Sequence, residues 1–128
     1  MKKQSLISLL FYLAALYDFI LGLAFLFAAP AVFEWYGVPP PNHFGYVQFP
    51  ACLLIVFGLI YLAVARNQIK NRNLIPYGML LKVSYCGIAF YYWMTSSIPS
   101  MWKPFAIYDL IFLILFFWAY RCLRSAEA

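Results

Sequence analysis

Residues 14–22 read AALYDFILG, which sets Asp18 near the middle of an apolar run extending from about residue 5 to residue 29. About 20 apolar helical residues cross the hydrocarbon core of a bilayer, so the run reads as a membrane span with a carboxyl group inside it. The segment Ile107-Tyr108-Asp109-Leu110-Ile111 repeats the Tyr-Asp pair in a later apolar run, and Lys82 interrupts another. An ionisable side chain in hydrocarbon costs about 3 kcal/mol or more, so such groups face the bundle interior and find partners there. The fold to expect is one that buries these three charges.

Composition agrees with that solvent. The chain is 128 residues long, enough for one domain, and 66% of it is hydrophobic while only 10% is charged. Its mean hydropathy is +0.82. Water-soluble domains carry about 25% charged residues, so this chain is built for lipid. A net charge of +5 can indicate nucleic acid, but the basic residues sit at the ends of apolar runs rather than on one polar face. That placement excludes a nucleic-acid binder and marks membrane orientation instead. Cys52, Cys86 and Cys122 are scattered through apolar runs with no CxxC or Cys/His spacing. They read as small hydrophobes, not as a zinc site or a redox pair.

The fold class expected is all-α: one polytopic four-transmembrane-helix bundle over residues 1–128. Its spans lie at about 5–29, 43–65, 74–95 and 101–122. Lys2 and Lys3 ahead of an apolar run resemble a signal peptide, and Ala28-Ala29-Pro30-Ala31 resembles a cleavage region. A signal h-region spans about 7–15 residues, however, so the longer run carrying Asp18 reads as a retained first helix. Pro30 is expected to end that helix. Pro50 sits inside the second span, off its centre, where it removes a backbone donor. Pro76 and Pro104 open the third and fourth spans at first-turn positions that tolerate proline. Between the first two spans, Val32, Phe33, Trp35 and Tyr36 suit a short segment at the membrane interface. Pro39-Pro40-Pro41 then forms a stiff extended connector.

Lys2, Lys3, Arg66, Lys70, Arg72, Arg121 and Arg124 fall on one side of the four spans; Lys103 falls on the other with Glu34 and His43. Lys/Arg-rich loops stay in the cytoplasm, so both termini are expected to be cytoplasmic. Trp93 and Trp102 belong to an outer aromatic belt, and Tyr77, Trp118 and Tyr120 to an inner one.

At about 1.5 Å of rise per residue, Asp18 falls near the midplane, Asp109 slightly outward of it and Lys82 slightly inward. A lysine stem can carry its ammonium several ångströms along a bundle, so an Asp18–Lys82–Asp109 cluster is within reach. Small residues mark the faces that allow close approach: Ala14 and Gly22 beside Asp18, Gly78, Cys86 and Ala89 beside Lys82, and Ala51, Gly58 and Ala65 on the second span. The fourth span is bulkier, with Phe105, Phe112 and Phe116. Tyr17, Tyr61, Tyr85, Tyr108 and Ser84 can supply hydroxyls. Two carboxylates and one ammonium leave one negative charge unmatched, so one aspartate is expected to carry a proton or to be held by tyrosine hydroxyls. The plainer alternative has Lys82 reaching to the cytoplasmic surface and each aspartate cross-linking helices by hydrogen bonds.

The first-helix ending LGLAFLFAAP at 21–30, the following loop, and four short spans with an aspartate in the last resemble the DoxX-like group of small four-helix bacterial membrane proteins. That resemblance implies the same architecture in a bacterial cytoplasmic (inner) membrane. Some members are linked to quinone-dependent sulfur oxidation, but no catalytic signature here carries that activity over. Tyr17-Asp18-Phe19-Ile20 and Tyr108-Asp109-Leu110-Ile111 lie in oppositely directed helices, as in the inverted repeats of transporters.

Three functions follow. The first is a binding or carrier protein for a lipid-like, quinone-like or cationic small molecule. Its intramembrane pocket would use Asp18, Lys82, Asp109, Tyr17, Tyr85 and Tyr108 as its polar cluster. The second is an accessory subunit of a larger membrane complex or a homo-oligomer. The third is a membrane oxidoreductase component, the least favoured, since the chain has no metal motif, nucleophile–base pair or nucleotide-binding loop. No cofactor is evident; a quinone or a lipid is admissible, and membrane lipids are the obligatory partners.

Overall fold

Pro30 does more than stop a helix. In the computed structural model, which describes residues 2–127 (with the side chains of residues 126 and 127 left aside), α1 runs Lys3–Phe27 and breaks at Ala28. Ala28 leaves the helical region at φ −131° and ψ 26° while its N–H still bonds the carbonyl of Ala24. A proline at position 30 of a continuing helix would drive its ring into the carbonyl of Leu26 and lack the N–H to bond it. The chain instead restarts as α2, Ala29–Tyr36, with Pro30 in the first turn. The freed Leu26 carbonyl lies 3.5 Å from the side-chain amide of Gln48. The interface segment expected at 32–36 is thus a two-turn helix, burying Ala29 and Phe33 and exposing Trp35. It ends on Gly37 at φ 65°, and the Val38 N–H returns to the carbonyl of Phe33, a glycine-capped close.

After the proline connector, α3 spans Gly45–Arg66 with Pro50 inside it. A polar loop and a 3-10 turn, Arg72–Leu74, lead to α4, Ile75–Thr95. The last helix, α5, is Trp102–Glu127, which runs five residues past the end of the apolar run. Residues 121–127, RCLRSAE, contain neither proline nor glycine, so the helix continues past the stretch that hydropathy marks. Among the described residues there is no strand. Helices α1, α3, α4 and α5 are each long and apolar enough to cross a membrane, and the chain is an all-α polytopic bundle.

Packing pairs α1 with α3 and α4 with α5. The first pair is close because its seam is small. A Cβ on Gly22 would sit 2.7 Å from the Ile55 side chain and 2.8 Å from the Ala51 carbonyl; one on Gly58 would sit 3.0 Å from the Phe19 ring. In lipid there is no hydrophobic force between helices, so such contact-dense seams supply the attraction. Gly78 receives the Tyr61 ring in the same way, and the Tyr61 hydroxyl donates to the Gly78 carbonyl at 3.3 Å.

One end of the bundle is closed. Ile7, Phe11, Tyr61, Val64, Ile75, Phe116 and Leu123 form the buried core, with Phe11 and Phe116 stacked at 4.6 Å. Gln68 in the α3–α4 loop donates to the Gln4 carbonyl and to the Ser8 hydroxyl, and Ser8 donates to the Ala65 carbonyl. Lys3 and Arg121 line one cavity at this end, so the start of α1 and the end of α5 lie together there. Beyond the core, toward α2, the packing loosens.

Candidate functional site

Three helices deliver one charge each to the level where the packed half ends. Asp18 lies on the buried face of α1 with Ala14 and Gly22. Lys82 lies on that of α4 with Gly78, Cys86 and Ala89. Asp109 lies on α5, one turn from the fully buried Ala106. Both Ala106 and Ala89 are small, which lets the two helices of this pair approach around the lysine stem. The Lys82 ammonium donates to Asp18 Oδ1 at 3.1 Å and to Asp109 Oδ1 at 3.0 Å. Lys82 is 1% exposed and Asp18 0%, so the lysine does not reach to the surface: it bridges the α1–α3 pair to the α4–α5 pair.

Rings complete the ammonium's shell. Its nitrogen lies 5.4 Å from the centroid of Tyr17, 5.5 Å from Phe112 and 5.6 Å from Tyr61. A desolvated ammonium over aromatic faces is stabilised by about 2 kcal/mol in favourable cases, which offsets part of the cost of its burial. The tyrosines therefore serve through their faces. Among the described residues no tyrosine hydroxyl bonds either carboxylate, so of the two ways expected to settle the unmatched charge, a proton on one aspartate or tyrosine hydroxyls, the second is not seen. Ser84 turns back to its own helix, donating to the Leu80 carbonyl.

The sequence-selected residues separate into two groups. Asp18, Lys82, Asp109 and Tyr17 come together. Tyr85 stands nearby but is committed elsewhere, donating to the Trp102 carbonyl at 2.9 Å. Tyr108 is half exposed and meets Tyr17 only edge-on, with ring centroids 6.2 Å apart. Phe112 was not among the selected residues, though its position one turn beyond Asp109 on the same helix is a usable signal. Tyr61 gives the ammonium its ring, while its hydroxyl donates to the Gly78 carbonyl rather than to an aspartate.

Two buried polar atoms of this cluster are left over. Asp18 Oδ2 and the Tyr17 hydroxyl have no hydrogen-bond partner among the described residues. Leaving a buried polar group unpaired costs about 1–3 kcal/mol, and more when it is charged. Both residues line a cavity of about 240 Å³, together with Asp109, Phe25, Tyr85 and Phe105; the rest of its wall is leucine and Pro50. A second cavity of about 450 Å³ adjoins it, with Phe25, Pro50, Leu54, Leu81 and Tyr85 as common walls. This outer cavity extends to Phe33 of α2 and to Met101 and Trp102 at the start of α5. Pro50 borders both cavities, where the proline interrupts the α3 backbone ladder.

Among the described residues, no group of three or more His, Cys, Asp or Glu side chains could hold a metal ion. Cys86 is buried, with its sulfur 3.6 Å from the Ala106 carbonyl, whereas Cys52 is exposed on the outside of the bundle. The buried-hydrophobe reading therefore fits Cys86 and not Cys52. No family model, curated protein or solved structure matches the chain.

Proposed function

We propose that the chain is a bacterial inner-membrane protein, with both termini in the cytoplasm, that binds or carries an apolar small molecule in an intramembrane pocket lined by Asp18 and Asp109, the two carboxylates that Lys82 links. The observation that carries this reading is the pair of adjoining cavities, the inner one lined by Asp18, whose Oδ2 is buried and has no partner among the described residues. An apolar pocket with a few convergent polar groups is the usual form of a small-molecule site. A purely structural subunit has no use for such space, and a packed interior would serve it better. A DoxX-like kinship belongs to the same reading, since a quinone-like or lipid-like tail suits walls of Phe25, Leu54 and Leu81.

Native mass spectrometry of the protein, gently extracted from its own membrane, tests the proposal. The wild type is expected to carry a discrete small-molecule mass. Asp18→Asn, which puts an amide N–H₂ where an acceptor stood, is expected to lose it. A bare chain in both samples, with the fold intact, refutes a resident ligand. A stoichiometric protein partner in place of the small molecule moves the chain to the accessory-subunit class.

A further inference from the structure

We infer that the pocket selects an amphiphile whose polar end is a protonated amine, which it holds between Asp18 Oδ2 and Asp109 with its chain in the outer cavity. The inference rests on the binding reading above and specifies its ligand.

Charge carries the argument. The cluster has two carboxylates and one ammonium, and Lys82 spends its contacts on one oxygen of each aspartate. The cavity itself is lined by both aspartates, and neither Lys82 nor any other cation is among its wall residues. With both carboxylates ionised, this space holds an excess of negative charge in a medium that screens it poorly, and an entering cation supplies the counter-charge that a proton on one aspartate would otherwise supply. An anionic head is repelled by that excess. A neutral hydroxyl can satisfy the hydrogen bond but leaves the charge. An ammonium satisfies both.

Hydrogen-bond geometry and ring placement point the same way. Asp18 is fully buried and its Oδ2 faces no donor. The Tyr17 oxygen, also enclosed and unpartnered, can accept a second N–H. Tyr17, Phe25, Tyr85 and Phe105 line the cavity, and aromatic faces attract cations. The protein already treats one ammonium this way, holding Lys82 between carboxylates and over three rings. The cavity beside it repeats that chemistry with the cation missing from the wall.

The test compares decylamine, decanol and decanoate, which share a tail and differ only in the head. Each is titrated at equal mole fraction and pH 7 against the purified full-length protein in a non-ionic detergent, with bound adducts counted by native mass spectrometry. Decylamine is expected to bind at least about tenfold more tightly than the other two, since charge-assisted hydrogen bonds are roughly twice as strong as neutral ones and a gain of about 1.4 kcal/mol is tenfold in affinity. Asp18→Asn is expected to remove the preference, and Tyr17→Phe, which keeps the ring, to weaken amine binding several-fold. Lys70→Gln, in the exposed loop, is expected to leave it unchanged. Decanol binding as tightly as decylamine, and still weakened by Asp18→Asn, overturns the amine and leaves the pocket standing. Decanoate binding tightest also overturns it and makes Lys82 the anchor. Failure of all three to bind a folded wild type overturns the pocket as well.

Discussion

Replacing Lys82 by methionine removes the only ammonium from a buried three-charge cluster while keeping most of the stem volume. At an effective dielectric of about 20, opposite unit charges 3.0 Å apart attract by roughly 5 kcal/mol. Lys82 makes two such contacts, at 3.0 and 3.1 Å. The cost of desolvating the ammonium, no longer incurred in the variant, offsets much of that attraction, and removal of one partner from buried pairs costs about 3–5 kcal/mol. The structure places Lys82→Met in that range, near 4 kcal/mol, because two carboxylates are left facing each other. A loss of about 4 kcal/mol shifts the folding equilibrium roughly a thousandfold. Unfolding in mixed micelles with a rising fraction of SDS, followed by tryptophan fluorescence, measures it. Asp18→Asn and Asp109→Asn should each cost far less, about 1 kcal/mol, since the amide oxygen still accepts from Lys82 and the remaining pair is neutral. Lys82→Met combined with both Asp→Asn changes should recover most of the loss, as residues in one network couple strongly. A Lys82→Met variant within about 1 kcal/mol of wild type would refute the reasoning, because an ammonium that is truly desolvated between two carboxylates cannot be dispensable.

Two further outcomes follow from the geometry. Gly22→Ala is expected to destabilise by about 1–3 kcal/mol in the same unfolding assay, because its Cβ would meet the Ala51 carbonyl and Ile55, while Gly87→Ala, with nothing within 4 Å, should show no steric loss. Equal behaviour of the two would mean that α1 and α3 do not approach as closely as described. In a chain with Cys52 replaced by serine, Asn42→Cys should react with a membrane-impermeant maleimide from outside intact cells, and Asn71→Cys only after permeabilisation. The reverse pattern would invert the orientation.

The seam residues and the three charges were legible in the sequence because each depends on one helix at a time. Helical rise fixes the depth of Asp18, Lys82 and Asp109, and spacing by three or four fixes that Ala14 and Gly22 share a face with Asp18. The shell around the ammonium was not legible, because whether Tyr17 offers its ring or its hydroxyl depends on how two helix pairs face each other. The break at Ala28 had a visible cause in Pro30, but apolarity continues through residues 28–33, so composition alone ran the first span too far. The opposite error occurred in α5, where polar residues ended the apolar run but not the helix.

These differences share a consequence for function. The small-residue seam draws α1 and α3 tightly together, and Ala89 and Ala106 do the same for α4 and α5 near Lys82. Tight pairs leave the space between pairs to be filled by large side chains. On the basic side Phe11, Tyr61 and Phe116 fill it, with Phe11 and Tyr61 both against Phe116. On the side of α2 the corresponding positions leave the two cavities instead. Lys82 and its carboxylates sit at the change from one regime to the other. There a latch between helix pairs also becomes the floor of a pocket, and one substitution acts on both stability and binding. Tyr17→Phe separates the two: the ring that packs on Lys82 remains, so the latch holds, while the unpartnered hydroxyl of this cavity-lining residue is lost. Stability equal to that of the wild type or higher, by up to about 1–3 kcal/mol because a buried unpaired hydroxyl is removed, together with weakened ligand retention, is the outcome this arrangement requires. Loss of stability with retention unchanged would make the cluster a latch alone.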